Sequence, residues 1–415
     1  MNSILILCDI FPPSFGPRMG YLCKYLKING WNPVVITEYI DDKSFQFLKK
    51  DIEVTYVQYY KKTGWARKIE WGRGVLSDLF FDCKSKIFYK EALKQIKKHD
   101  FKLILCSSYR IFPLPAAEKL ARRTGLPLVA DLRDIIEQYT GDEFISHKIP
   151  RLLGFEKLII NYFKFKNLRK RNDILRFAKA VTTVSPWHVS VLKQYNPNVS
   201  LIYNGFDPEI FYPLDIKTHK FHITYTGRLI STKMRNPDLL FKALERLSLE
   251  KIICSRQFGV RWFVDRKSEL MIKNEIMKYP VIKDFMSYYG YVSAIEIPEI
   301  LNSSSILLIL TNKADEKGPK GVMTTKFFEY LAVGKPILCV RGDEGCLEEV
   351  INKTNSGLSA HNADEVYEFI KHYFENWKSN KPFINLSNRE EIRKFSREEQ
   401  AKQFMEIFKQ LTDNE

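Results

Sequence analysis

Short runs of β-branched and other apolar residues recur at 3–8, 33–38, 52–58, 102–107, 127–131 and 180–184, separated by longer segments with helical spacing. That alternation confines the first half of the chain to a parallel sheet joined by crossover helices. The pattern restarts at Phe221, with further runs at 251–254, 287–292, 305–310 and 336–340. The 415 residues are therefore read as two doubly wound α/β domains. Turn residues from Asn204 to Pro208, followed by Pro213, put the hinge near 204–215, and the amphipathic segment 390–412 has no strand after it. The domains are expected at 1–205, together with a C-terminal helix at about 390–415, and at 206–389. Ligands of open parallel sheets bind beyond the carboxyl ends of the strands, so the loops after the strands beginning at 3, 221 and 305 are the places to search.

The opening run Ser3 to Cys8 lacks a basic leader and meets Asp9 at once, so it reads as a buried strand rather than a signal segment. No stretch approaches the roughly 18 apolar residues needed to span a bilayer. The seven cysteines are scattered without paired spacing, which fits a reducing compartment and argues against a disulfide framework or a zinc site. A cytoplasmic protein is expected. Charge is lopsided: residues 1–200 hold 34 Lys and Arg against 19 Asp and Glu, whereas 201–415 hold 31 against 30. The first domain is thus expected to meet something anionic.

Three segments carry candidate chemistry. After the first strand, Phe11 to Gly20 forms a Pro/Gly turn in which Gly16 lets backbone N–H groups approach a phosphate, aided by Arg18; an ordinary strand-to-helix turn fits the same residues. After the strand at 221, Gly227 permits a tight exit, and Arg228 and Lys233 lie five residues apart on one loop, suited to clamping a diphosphate or else simply solvated. From Lys320 to Leu338 a glycine-containing turn opens a helix at about Thr325–Ala332, ended by Gly334. The N–H groups of Met323, Thr324 and Thr325 face any phosphate at that helix start, and Glu329, one turn on, suits the two hydroxyls of a ribose unless it is only an exposed helix carboxylate.

Taken together these segments resemble the retaining glycosyltransferases of family 4, which have the GT-B architecture of two facing Rossmann-like domains, each a parallel sheet flanked by helices, with a C-terminal helix crossing back to the first. The likeness keeps the family's order along nearly the entire chain: Phe11-Pro12-Pro13 with Gly16, Val184-Ser185, Asn204 to Asp207 with Phe211 and Pro213, Thr226 to Leu229 with Lys233, Tyr289 to Val292, and Phe328 to Pro336. It implies that Arg228 and Lys233 hold the donor diphosphate and carry the catalytic charge, Glu329 the ribose, Tyr291 and Val292 the base, and Gly16 the phosphates or the transferred sugar. The family's usual first glutamate, eight positions before Glu329, is replaced by Gly321, and Met234 stands where a glycine commonly follows the lysine. With no Asp-x-Asp motif, arginine and lysine take the place of a metal and no cofactor is expected. Transfer is expected on the face that the diphosphate leaves, with that leaving group helping to accept the proton. The nearest candidate for a base is the stretch Asp131 to Asp134 at the end of an apolar strand, the acceptor-side candidates are Arg18, Arg133 and Asp134, and a structural ion pair between Arg133 and an aspartate is the alternative.

The basic excess has a local focus. Residues 155–179 mix eight lysines and arginines, from Lys157 to Lys179, with Phe155, Leu158, Phe163 and Phe165, and only Glu156 and Asp173 oppose them. Lys61, Lys62, Trp65, Arg67, Lys68, Trp71 and Arg73 form a second such area. Both fit helices lying on anionic lipid, or solvated helices with core aromatics. The expected partners are a nucleotide-sugar donor, a saccharide acceptor linked to lipid diphosphate, and the inner face of a bacterial membrane, in the building of surface polysaccharide. No nucleic-acid module accompanies the basic residues. A nucleotide-sugar epimerase of related build and a non-catalytic sugar-nucleotide-binding subunit are the rival readings.

Overall fold

The computed structural model describes residues 2–49, 51–59, 64–138, 156–232, 234–311, 321–341, 345–381 and 387–413, with the backbone alone at 67 and 75–81. The chain divides into two compact units, one of residues 1–203 with 397–415, the other of 204–396.

The first unit is built on seven parallel strands: β1 (Asn2–Cys8), β2 (Trp31–Glu38), β3 (Glu53–Val57), β4 (Phe101–Ser108), β5 (Leu128–Leu132), β6 (Ala180–Thr183) and β7 (Val199–Leu201). They lie in the order β3-β2-β1-β4-β5-β6-β7. Side chains of β1 alternate across the sheet, so Leu5 and Leu7 enter one core while Ile4, Ile6 and Cys8 enter the other. Burial on both faces explains the uninterrupted apolar run, each such side chain stabilising the fold by about 1.5–3 kcal/mol. The helix Pro17–Ile28 and the last helix, Arg397–Thr412, cover one face, where Trp31 meets Phe408 edge-on at 5.7 Å.

The second unit repeats the plan with β8 (Phe221–Thr226), β9 (Phe258–Phe263), β10 (Met286–Tyr288), β11 (Ile306–Leu310), β12 (Ile337–Val340) and β13 (Gly357–Ala360), ordered β10-β9-β8-β11-β12-β13. In both sheets the order reverses beside the first strand, between β1 and β4 and between β8 and β11. These are the switch points at which loops splay apart and leave a crevice for a ligand.

One expected strand is absent. Residues 251–254 close the helix Asp238–Leu249: Lys251 takes φ +57°, and the N–H groups of Ile252 and Ile253 both turn back to the Leu247 carbonyl. The apolar pair seals a helix end. The strand beside β8 is β9 instead, with β7 and β13 also unforeseen. The run expected at 287–292 pairs only as far as Tyr288, because Gly290 at φ +73° turns the chain away.

Candidate functional site

The switch point of the second sheet brings together two of the three segments singled out in the sequence. The last residue of β8, Thr226, is held from both sides by the helix Thr325–Val333. Its N–H donates to the Tyr330 hydroxyl at 3.2 Å, the two hydroxyls lie 2.9 Å apart, and Lys326 Nζ donates to its carbonyl at 2.6 Å. Gly227 follows at φ +100°, donating its N–H to the Phe263 carbonyl at 2.9 Å. A Cβ there would meet Lys326 Nζ at 3.2 Å, which a small shift of the lysine relieves, so it is the backbone, in a region that L-residues rarely adopt, that asks for glycine.

The loop beyond is fixed by its backbone, which leaves the next side chain outside. The Arg228 carbonyl accepts from the Tyr225 hydroxyl at 3.0 Å and from the Arg235 guanidinium, and the Leu229 N–H donates to Ser268 Oγ at 3.0 Å. The Arg228 side chain is 68% exposed, its Nε 3.3 Å from Asp265 Oδ2 and its guanidinium 6.0 Å from the centre of the Tyr291 ring. An exposed pair of this kind is worth at most about 1 kcal/mol, so the arginine is easily surrendered to a stronger anion. Asp265 is itself occupied in capping the helix Arg266–Ile276 through the Ser268 N–H at 2.8 Å. Tyr291 is exposed, Val292 half-buried, and Tyr289 stacks on Phe263 at 4.8 Å, giving flat apolar surface beside the cation. Lys233 lies outside the described residues.

Thr324 caps the helix Thr325–Val333 in an extended conformation without a side-chain hydrogen bond, Met323 is buried beneath it, and Gly334 ends the helix at φ +70°. Glu329 is half-buried one turn into the helix, and Gly321, where the family has its usual first glutamate, is buried at φ +66°. Two residues that sequence reasoning passed over, Lys326 and Arg235, add positive charge around Gly227. The signal available for Lys326 was its place in a helix's first turn, where the macrodipole disfavours a cation.

In the first unit the structure redirects the acceptor-side candidates. Arg18 is 5% exposed and turned inward: Nη2 and Nε bond Asp131 at 2.8 and 3.1 Å, and Nη1 donates to the Tyr203 carbonyl at 3.0 Å. Each of its three nitrogens is engaged within the first unit, which makes it a strut between the helix Pro17–Ile28 and the sheet. Arg133 pairs with Asp9, whose carboxyl burial pushes up to about 6 despite that arginine, and its guanidinium lies 5.5 Å from the Tyr109 ring centre. Asp134 accepts from Gln138 Nε2 at 2.8 Å. Gly16 is demanded by its own turn, since a Cβ would lie 2.7 Å from Phe11 Cα.

No family model and no curated protein matches the sequence. Solved structures do resemble the fold. A sucrose-phosphate synthase from Thermosynechococcus elongatus matches all of this chain over all of its own, at 14% identity and a TM-score of 0.68. HepE from Anabaena, in complex with UDP-glucose, matches 99% of this chain over 100% of its own at 16% identity and a TM-score of 0.66. A lipopolysaccharide outer core galactosyltransferase, WaaB, matches 98% over 99% at 11% identity and a TM-score of 0.56. The chain has the GT-B fold. With it come two parallel, helix-flanked sheets of the same strand order, which places the Gly227 loop and the helix Thr325–Val333 at the switch point of the second sheet of a GT-B protein.

Proposed function

We propose that the protein is a retaining glycosyltransferase that moves a sugar from a UDP- or GDP-linked donor to a saccharide acceptor. The observation that carries the reading is the exposed Arg228 guanidinium beside Gly227 at the β8/β11 switch point, paired among the described residues only with the Asp265 carboxylate. HepE, of the same fold, has been solved with UDP-glucose and with UDP and glucose. As the bond from the anomeric carbon to the diphosphate breaks, the electron pair passes to a diphosphate oxygen, and Arg228 with Lys233 stabilises that charge. The acceptor hydroxyl adds to the face being vacated and its proton goes to the leaving diphosphate. Cationic side chains fill the place of a metal in this scheme, so none is required. Thermal unfolding with UDP, GDP and UDP-glucose tests the reading. Stabilisation by about 2.7 kcal/mol at a hundredfold excess over Kd is expected, unchanged by EDTA; a flat response to all three ligands would reject it.

The acceptor is read as a lipid-linked diphosphate saccharide of bacterial surface polysaccharide, met at the cytoplasmic face of the membrane. On the basic helix Glu156–Phe177, Ile160, Phe163 and Leu168 pack inward against Ile136, but Leu158, Tyr162 and Phe165 are each more than 60% exposed beside Lys157, Lys166 and Arg169. On the helix Gly64–Phe81, Trp65 is 79% and Trp71 51% exposed, while Lys61 and Lys62 lie outside the described residues, as does the Arg67 side chain. Exposed rings among lysines suit an interface of acyl chains and anionic headgroups, with each basic residue contributing roughly 1 kcal/mol. Among the described residues no helix is long and apolar enough to cross a membrane. The protein is expected to float with phosphatidylglycerol vesicles and to stay behind with phosphatidylcholine vesicles; equal behaviour with both contradicts the membrane reading.

A further inference from the structure

Lys326 stands where helix electrostatics give a lysine no reason to be. It is the second residue of the helix Thr325–Val333, whose dipole opposes a positive charge in the first turn by about 0.3–1 kcal/mol. Its ammonium is not turned to solvent either. The side chain is half-buried, with Nζ 4.0 Å from the centre of the buried Tyr225 ring and 2.6 Å from the Thr226 carbonyl. Among the described residues it forms no ion pair. Burial, and then the charge of Arg235, hold the ammonium well below its ordinary 10.5, with Glu329 pulling the other way. A purely structural tie between helix and strand does not explain it, because Tyr330 already bonds both the N–H and the hydroxyl of Thr226 without bringing a charge.

We infer that Lys326 is a ligand of the donor's diphosphate: its ammonium, parked on the Thr226 carbonyl beside Gly227, turns its remaining N–H groups to a phosphate oxygen. The inference rests on the proposed donor site and adds to it a residue from the helix rather than from the Gly227 loop. An ammonium has three donors, and the Thr226 carbonyl takes one. A half-buried cation that forms no ion pair among the described residues, with Glu329 acting only at longer range, is costly alone and becomes favourable when an anion arrives. The anion in turn raises the lysine's affinity for its proton, so binding is linked to protonation. Diphosphate affinity is therefore full below the lysine's lowered value in the empty site and falls as pH rises through it.

The test is titration calorimetry of UDP, GDP, uridine and guanosine into the full-length protein and its Lys326→Met, Lys326→Arg and Tyr330→Phe variants, from pH 7 to 9.5, with circular dichroism to confirm folding. Lys326→Met is expected to weaken the diphosphate that binds by at least tenfold, to leave its nucleoside unchanged and to flatten the pH dependence. Lys326→Arg should recover part of the affinity, and Tyr330→Phe should lower the melting temperature while keeping the wild-type pH profile. Diphosphate binding by Lys326→Met within twofold of wild type, with the same pH profile, overturns the inference and leaves the donor site standing. Equal losses for diphosphate and nucleoside would assign Lys326 to structure alone. If the wild type binds neither diphosphate, the donor-site reading falls and takes this one with it.

Discussion

Replacing Asp131 with alanine is expected to cost the first unit about 3–5 kcal/mol, the penalty for stranding a buried arginine. Asp131 is fully buried in β5 and sits in register between Ser107 of β4 and Thr182 of β6, each of which donates its hydroxyl to the carboxylate at 2.8 Å. Arg18 supplies the matching charge from the helix Pro17–Ile28 and lies 5.3 Å from the ring centre of Phe404 in the last helix. One carboxylate thus joins three adjacent strands to a helix that helps hold the C-terminal segment. Burial alone would raise its pKa, but Arg18 and the two hydroxyls outweigh burial and hold it below 3.8. A lowered carboxylate stabilises the fold above its unfolded-state pKa, and that contribution is lost as pH falls through the lower folded value. The gap between wild type and Asp131→Ala should therefore be widest near neutrality and shrink below pH 3.8. Urea unfolding at several pH values measures it, and hydrogen exchange of β4, β5 and β6 localises it. A loss under about 1 kcal/mol at neutral pH would show that the pair can be dispensed with.

The same pair shows why part of this protein was legible in its sequence and part was not. The strands that announced themselves did so in two ways: β1 from Ile4 to Cys8 and β11 are unbroken apolar runs buried on both faces, and β8 alternates Phe221, Ile223 and Tyr225 with His222, Thr224 and Thr226. β9 was hidden because Gly259 and Arg261 break its run. Arg261 is tolerated there only because Thr224, Ser303 and Ser304 satisfy its guanidinium, and those partners are distant in sequence. The Ile252-Ile253 pair carried the right composition for a strand in the wrong backbone, since short apolar runs do not distinguish a strand from a sealed helix end. At the candidate site, Gly227 and Arg228 could be read because a strand's end marks a ligand loop. Arg18 offered the same signal, but its pairing with Asp131, 113 positions away, could not be read from it. An aspartate partner for Arg133 was among the alternatives, but its identity as Asp9, 124 positions away, was not legible. Lys326 was overlooked because lysine near a helix end reads as solvated, and only the carbonyl and ring around its ammonium show otherwise.

The largest functional effect is expected at Arg228. Its exposed pairing with Asp265 contributes little to folding, so Arg228→Ala should change stability by no more than about 0.5 kcal/mol. Sugar transfer is another matter, because in the proposed function the guanidinium meets the diphosphate where negative charge grows as the bond from the anomeric carbon breaks. Losing one such group costs about 10²–10³ in kcat, or roughly 2.7–4 kcal/mol of transition-state stabilisation. Arg228→Lys should fall between, retaining the charge without the planar fork that grips two phosphate oxygens at once. Asp265→Asn supplies the opposite perturbation. Asparagine keeps the cap on the helix Arg266–Ile276 but releases the arginine from its carboxylate, so diphosphate binding should hold or tighten. The measurement is release of UDP or GDP from whichever sugar nucleotide stabilises the wild type, with kcat and KM separated. Turnover by Arg228→Ala within threefold of wild type would remove Arg228 from the chemistry. A loss confined to KM would make it a binding residue that acts equally on ground and transition states.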